Sequence, residues 1–122
     1  MRKADILVCD DEAGVRESLK LILGKEYTLA YATNGEEAVN YIKAHNPDLL
    51  IMDVKMPKMG GLEALRLIKR LKPKLPVLMA TGYESSDVAV QAVHLGANDY
   101  LVKPYDREQV HAKVQALLSA QK

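Results

Sequence analysis

The sequence predicts a doubly wound α/β domain built on a five-stranded parallel sheet in the order 2-1-3-4-5, with five helices. Three observations carry this. Short apolar runs alternate with longer stretches of helical periodicity, five of each, which is the pattern of repeated β/α units. The apolar runs are continuous rather than alternating, as in strands covered on both faces. No glycine-rich dinucleotide fingerprint follows the first run, which with five strands disfavours the Rossmann order. Right-handed crossovers then leave few topologies.

The first strand is Ile6–Cys9. In the helix after it, Val15, Leu19, Ile22 and Leu23 recur at i, i+4, i+7 and i+8, and Gly24 is the stop. Leu29–Ala32 is the second strand. Asn34-Gly35-Glu36-Glu37 offers a capping box to a helix that turns Ala38 and Ile42 inward and ends before Pro47. Leu49–Met52 is the third strand, and the helix beyond it directs Leu62, Leu65, Ile68 and finally Leu71 inward before Pro73. Val77–Ala80 is the fourth. Its helix opens near Ser85-Ser86-Asp87, is rich in Ala and Val, and ends at Gly96. Tyr100–Val102 is the fifth strand, and Asp106-x-x-Gln109 starts a last helix with Val110, Val114, Leu117 and Leu118 on one face.

Bulk composition bounds the function classes. The 122 residues fit one domain over 1–122, and with 48% hydrophobic residues a core forms without staples. Seventeen basic and sixteen acidic side chains leave a charge of +1, without the basic surplus of a nucleic-acid-binding domain. The single cysteine, Cys9, lies in a buried run; it excludes an internal disulfide and reads as inert core. No apolar run approaches the ~20 residues that span a bilayer, and the N-terminus has no apolar signal region. The expectation is a soluble, cytoplasmic protein with no membrane partner and no direct nucleic-acid contact.

The polar residues at the strand ends point to chemistry. The first strand stops at Asp10-Asp11-Glu12, the third at Asp53, the fourth at Thr81 and the fifth at Lys103-Pro104. Ligands of open α/β sheets bind beyond the carboxyl ends of the strands, where strand order reverses. In the predicted order these four strands are consecutive neighbours, so the endings converge on one site. Two carboxylates ~4 Å apart repel by about 4 kcal/mol at an effective dielectric of 20. A hard divalent cation relieves that repulsion, and oxygen ligands with room for water and phosphate suit Mg²⁺ better than Zn²⁺. One carboxylate is then free to act as a nucleophile toward phosphorus, with Lys103 and the Thr81 hydroxyl to receive the phosphoryl oxygens. Singly, each residue has a blander reading: a solvated acidic pair, a turn threonine, a surface lysine. Their joint register removes those readings.

These residues resemble the bacterial two-component response regulator receiver domain, of the CheY-like, flavodoxin-like superfamily, over essentially the whole chain. The matches are Asp10-Asp11, Asp53 with Met56-Pro57 and Gly60-Gly61 after it, Thr81-Gly82, Gly96-Ala97, and Tyr100-Leu101-Val102-Lys103-Pro104. The resemblance implies a phosphorylation switch rather than an enzyme with an outside substrate. In it Asp53 takes a phosphoryl group from a sensor histidine kinase or phosphotransfer protein. It also implies Mg²⁺ on Asp11, Asp53 and the Lys55 backbone carbonyl, with Asp10 acting through water. Thr81 and Tyr100 would be the switch pair, signalling to an effector or output domain through the fourth helix, fifth strand and fifth helix. Lys55 and Tyr83 stand at positions that tune phosphate loss in that family. The likeness is nearest to receivers of enhancer-binding transcription regulators and to stand-alone phosphorelay receivers. Two residues depart from the pattern: Gly60 stands where Asp is common, and Tyr105 where Phe is frequent.

Rival readings fail on particular positions. A haloacid-dehalogenase-like phosphatase needs a second Asp two residues beyond the nucleophile, where this chain has Lys55. A flavin or nucleotide module needs Gly, Ser or Thr after the first strand, where Asp10-Asp11-Glu12 would repel the phosphate. A degenerate receiver would lack an acceptor or a ligand, and none is missing.

Overall fold

The computed structural model describes residues 3–82 and 86–120. The strands are β1 (Asp5–Cys9), β2 (Thr28–Ala32), β3 (Leu49–Asp53), β4 (Val77–Gly82) and β5 (Asp99–Lys103). The helices are α1 (Ala13–Leu23), α2 (Gly35–Ala44), α3 (Gly61–Leu71), α4 (Ser86–His94) and α5 (Arg107–Ser119). All four pairings are parallel, and the sheet order is β2-β1-β3-β4-β5, as the sequence predicts.

Strand pleating divides the core in two. Leu7, Cys9, Leu50, Met52, Val77 and Met79 meet Ala38, Ile42, Ala64, Leu65, Ile68 and Ala92 of α2, α3 and α4. The intervening Ile6, Val8, Leu49, Ile51, Leu78 and Leu101 meet Leu19, Leu23, Val110 and Val114 of α1 and α5. Every side chain of β3 is buried, which fits its central position.

The ends of elements depart from the sequence reading. Leu71, expected to face inward, is 45% exposed: it is the last residue of α3, and the buried face ends one turn earlier at Ile68. At α2, Asn34 Oδ1 accepts from the Glu37 N–H at 2.9 Å, but Glu37 does not return to Asn34. Its Oε1 accepts instead from the Thr33 N–H at 2.7 Å and the Thr33 hydroxyl at 2.9 Å, so half of the predicted capping box forms. At α5 the whole box is present between Asp106 and Gln109. On β5, Tyr100 and Val102 are exposed, so this edge strand is covered on one face only. The Lys103–Pro104 peptide is cis.

Candidate functional site

The register between strands builds the site. Asp53 pairs with Ala80 across β3 and β4, and Thr81 with Val102 across β4 and β5. The last residues of β3, β4 and β5 therefore end side by side, next to the acidic loop that leaves β1 at Asp10. A cavity of about 280 Å³ opens there, lined by Asp11, Glu12, Asp53, Thr81, Lys103 and their neighbours.

Lys103 holds the two buried carboxylates together. Its Nζ lies 3.2 Å from Asp10 Oδ2 and 3.3 Å from Asp53 Oδ1. Burial alone would lower the ammonium's affinity for its proton, but Asp53 and Asp10 outweigh burial and hold the pKa above the ordinary lysine value. Asp53 itself is held above the ordinary carboxylate range. Burial is the main cause; Lys103 pulls down, and Asp10 pushes up. The Val54 N–H also donates to Asp53 Oδ1 at 2.9 Å, which fixes the side chain at the strand end.

Asp10 and Asp11 have different environments. Asp10 is buried, with Oδ1 accepting from the Glu12 N–H at 2.9 Å and Oδ2 facing Lys103. Asp11 is exposed and lines the cavity directly. Asp10, Asp11 and Glu12 each bring a carboxylate oxygen within 4.8 Å of the others. This all-oxygen, anionic set matches what a hard divalent cation requires. Glu12 is a lining residue that the sequence reading left out of the site. Its signal was its place as third member of an acidic run at a strand end.

The remaining candidates divide. Thr81 is buried and lines the cavity, and Lys55 lines it too. Tyr100 does not: it is 39% exposed, with its ring centroid 5.7 Å from the Lys113 Nζ of α5. Tyr83 lies outside the described residues. Val88, in the first turn of α4, lines the cavity, a contact that no motif announced. Cys9 belongs to the core. Its thiol contacts the Asn34 carbonyl at 3.2 Å and Met56 Sδ at 3.4 Å, and burial pushes its pKa to about 12, which makes it inert.

Gly61 packs the loop against the site. A Cβ there would lie 2.1 Å from the Asp53 carbonyl oxygen, so only glycine lets the chain pass. At Gly60, the departure from the usual Asp, the nearest atom to a Cβ would be the Val54 oxygen at 3.5 Å. Its φ of −73° is open to any residue, so this second glycine is not required by the backbone.

Comparison with known proteins gives concordant results. A family model for the response regulator receiver domain matches residues 6–115. The response regulator MprA of Mycobacterium ulcerans is 41% identical over 114 residues, 93% of this chain and 49% of that protein. A putative response regulator from Chloroflexus aurantiacus J-10-fl superposes with a TM-score of 0.92 at 33% identity, covering 97% of this chain and 99% of that one. NtrX from Brucella abortus gives 0.91 at 31% identity, covering 97% of this chain and 27% of that one. The chain spans about half the length of the curated relatives it matches.

Proposed function

The chain belongs to the response regulator receiver family, whose members act in phosphorylation-dependent signalling, and on that premise we propose that Asp53 is its phosphoacceptor. The observation that carries this is the bridging of Asp53 and Asp10 by Lys103 at the edge of a cavity shared with Asp11 and Thr81.

In the proposed reaction an Asp53 carboxylate oxygen attacks the phosphorus of a phosphohistidine on a sensor histidine kinase or phosphotransfer protein. The P–N bond breaks and its electron pair stays on the imidazole. Lys103, already charged, turns to the phosphoryl oxygens, and the Thr81 hydroxyl donates to another. Mg²⁺ would be held by Asp11, Asp53 and the Lys55 carbonyl, with Asp10 contributing through water. Bound there, it would neutralise charge developing on the transferred group. The chain is thus a switch that takes part in its own phosphorylation and dephosphorylation, not an enzyme with a separate substrate.

The downstream partner is an effector or output domain. Tyr100 is the switch ring, and the responsive surface is α4, β5 and α5. Support for a cytoplasmic location is that no described helix is long and apolar enough to cross a membrane.

The test is labelling by acetyl phosphate with Mg²⁺, read by intact mass. The wild type should gain one acid-labile phosphoryl group, and Asp53→Asn, nearly isosteric, should gain none. Equal labelling of both would remove Asp53 from the role.

A further inference from the structure

We infer that Arg16 is a positioning residue of the cation pocket: by holding the Asp10 carbonyl it fixes the peptide that presents the Asp11 carboxylate. The inference rests on reading that pocket as a divalent-cation site.

Pairing of β1 with both neighbours ends at Cys9, opposite Ala32 and Met52. The Asp10 N–H still donates to the Ala32 carbonyl at 3.0 Å. The Asp10 carbonyl is beyond the ladder, and a partly buried carbonyl needs a donor. Arg16 supplies it, with Nη1 at 2.7 Å. The Arg16 N–H in turn donates to the Glu12 carbonyl at 3.2 Å, so the first turn of α1 and the acidic loop close into one unit.

Asp10 is consequently held at its N–H by Ala32, at its carboxylate by Glu12 and Lys103, and at its carbonyl by Arg16. Asp11, one peptide further on, is exposed and takes its direction from that plane. A guanidinium suits the task because it stays charged at any working pH and offers donors in a fixed fork.

Charge and positioning make opposite predictions. A guanidinium seated on the Asp10 carbonyl opposes the binding of a further cation nearby, so loss of its charge alone should tighten Mg²⁺ binding. Loss of the carbonyl's donor should weaken it. Metal sites commonly lose about tenfold or more in affinity when a group that orients a ligand is removed.

The experiment is calorimetric titration of the full chain with MgCl₂, alongside amide spectra of the metal-free protein. Arg16→Met keeps the stem and removes both charge and donor, and Arg16→Lys keeps a charge and a donor. Asp11→Ala is the control for a lost ligand. The expected result is about tenfold weaker Mg²⁺ binding by Arg16→Met, with metal-free shift changes centred on Asp10–Glu12. Arg16→Lys should lie nearer the wild type than Arg16→Met. Equal or tighter binding by Arg16→Met, or equal weakening by Lys and Met, would overturn the inference. If Arg16→Met does not fold, Arg16→Gln takes its place with the same expected sign. A wild-type chain that takes up no Mg²⁺ would overturn the pocket reading itself, and this inference with it.

Discussion

Asp53 ends β3 as a buried carboxylate, and burial disfavours its charged form. Burial holds its pKa above the ordinary value despite Lys103, so the folded chain binds that proton more tightly than the unfolded chain does. Stability from this group is present below the ordinary carboxylate pKa and is lost as pH rises through the folded value. At neutral pH the ionised carboxylate therefore costs stability. Metal-free Asp53→Asn should be more stable than wild type at pH 7 in urea unfolding, with the difference vanishing below about pH 4. A mutant less stable at pH 7 would contradict the sign. Asp11 is exposed, so Asp11→Ala should leave metal-free stability level or slightly raised while weakening Mg²⁺ binding and phosphorylation together. Lower metal-free stability with unchanged Mg²⁺ affinity would remove Asp11 as a ligand. Asp10, Asp11, Asp53, Thr81 and Lys103 were legible from sequence because each sits at a strand end, where topology alone fixes their convergence. Arg16 and Val88 were not, because where a flexible side chain reaches and which way a helix turn faces have no sequence period; Glu12 carried a signal only as the third member of the acidic run at the end of β1.

At the scale of elements, the loop from β3 into α3 separates two glycines with different work. Gly61→Ala would drive a methyl into the Asp53 carbonyl and should cost roughly 1–3 kcal/mol, as overpacking does. Gly60 occupies the N-cap of α3 with no side-chain acceptor for the helix N–H groups. Gly60→Asp should therefore stabilise by a few tenths to about 1 kcal/mol, from the cap and the helix dipole. Urea midpoints of the two mutants moving in the same direction would refute this division. The five strands and five helices were legible because hydrophobic runs and periodicity report burial directly. The exposure of Leu71 was not legible, because periodicity marks a face of the helix and not how far along the helix that face stays covered. Only half of the α2 capping box was legible, because Thr33 offers Glu37 both an N–H and a hydroxyl. α4 is the weakly seated element: among its residues of described burial Ala92 alone is fully buried, while Val90 and Val93 are 56% and 54% exposed. Its far end is tied down. Lys69 Nζ donates to the Leu75 carbonyl at 2.5 Å and to Asn98 Oδ1 at 2.9 Å, and its stem packs where a Gly96 side chain would stand.

For the whole molecule, these features set how a phosphoryl group at Asp53 would be felt at a distance. Val88 brings the first turn of α4 to the cavity, whereas Lys69 and Asn98 hold the region beyond its last turn. Little apolar area is lost if α4 pivots about that fixed end, so the motion is inexpensive. Tyr100 stands outward beside Lys113, which also pairs with Asp99 at 3.0 Å. A ring that turns inward gives up the ammonium but buries apolar surface. Movement of Thr81 toward the phosphoryl group would provide the space, biasing an existing equilibrium rather than creating a new fold. Shifting a population from 1:99 to 99:1 takes about 5.5 kcal/mol of differential stabilisation. A charge-assisted Lys103 contact and a Thr81 hydrogen bond would supply at most roughly 2–5 kcal/mol, less what Lys103 already gains from Asp10 and Asp53. The switch should thus be incomplete in the isolated chain and completed by a partner that binds the active form. Amide chemical-shift mapping with beryllofluoride and Mg²⁺ tests this. Changes should run through α4 in a gradient, larger at Asp87–Val90 than at His94–Gly96, and should include Tyr100. Peaks there should fall between the two end states and move further when partner is added. Changes confined to Asp10–Asp11 and Asp53–Gly61, with α4 and Tyr100 silent, would refute the switch while leaving the phosphorylation chemistry at Asp53 intact.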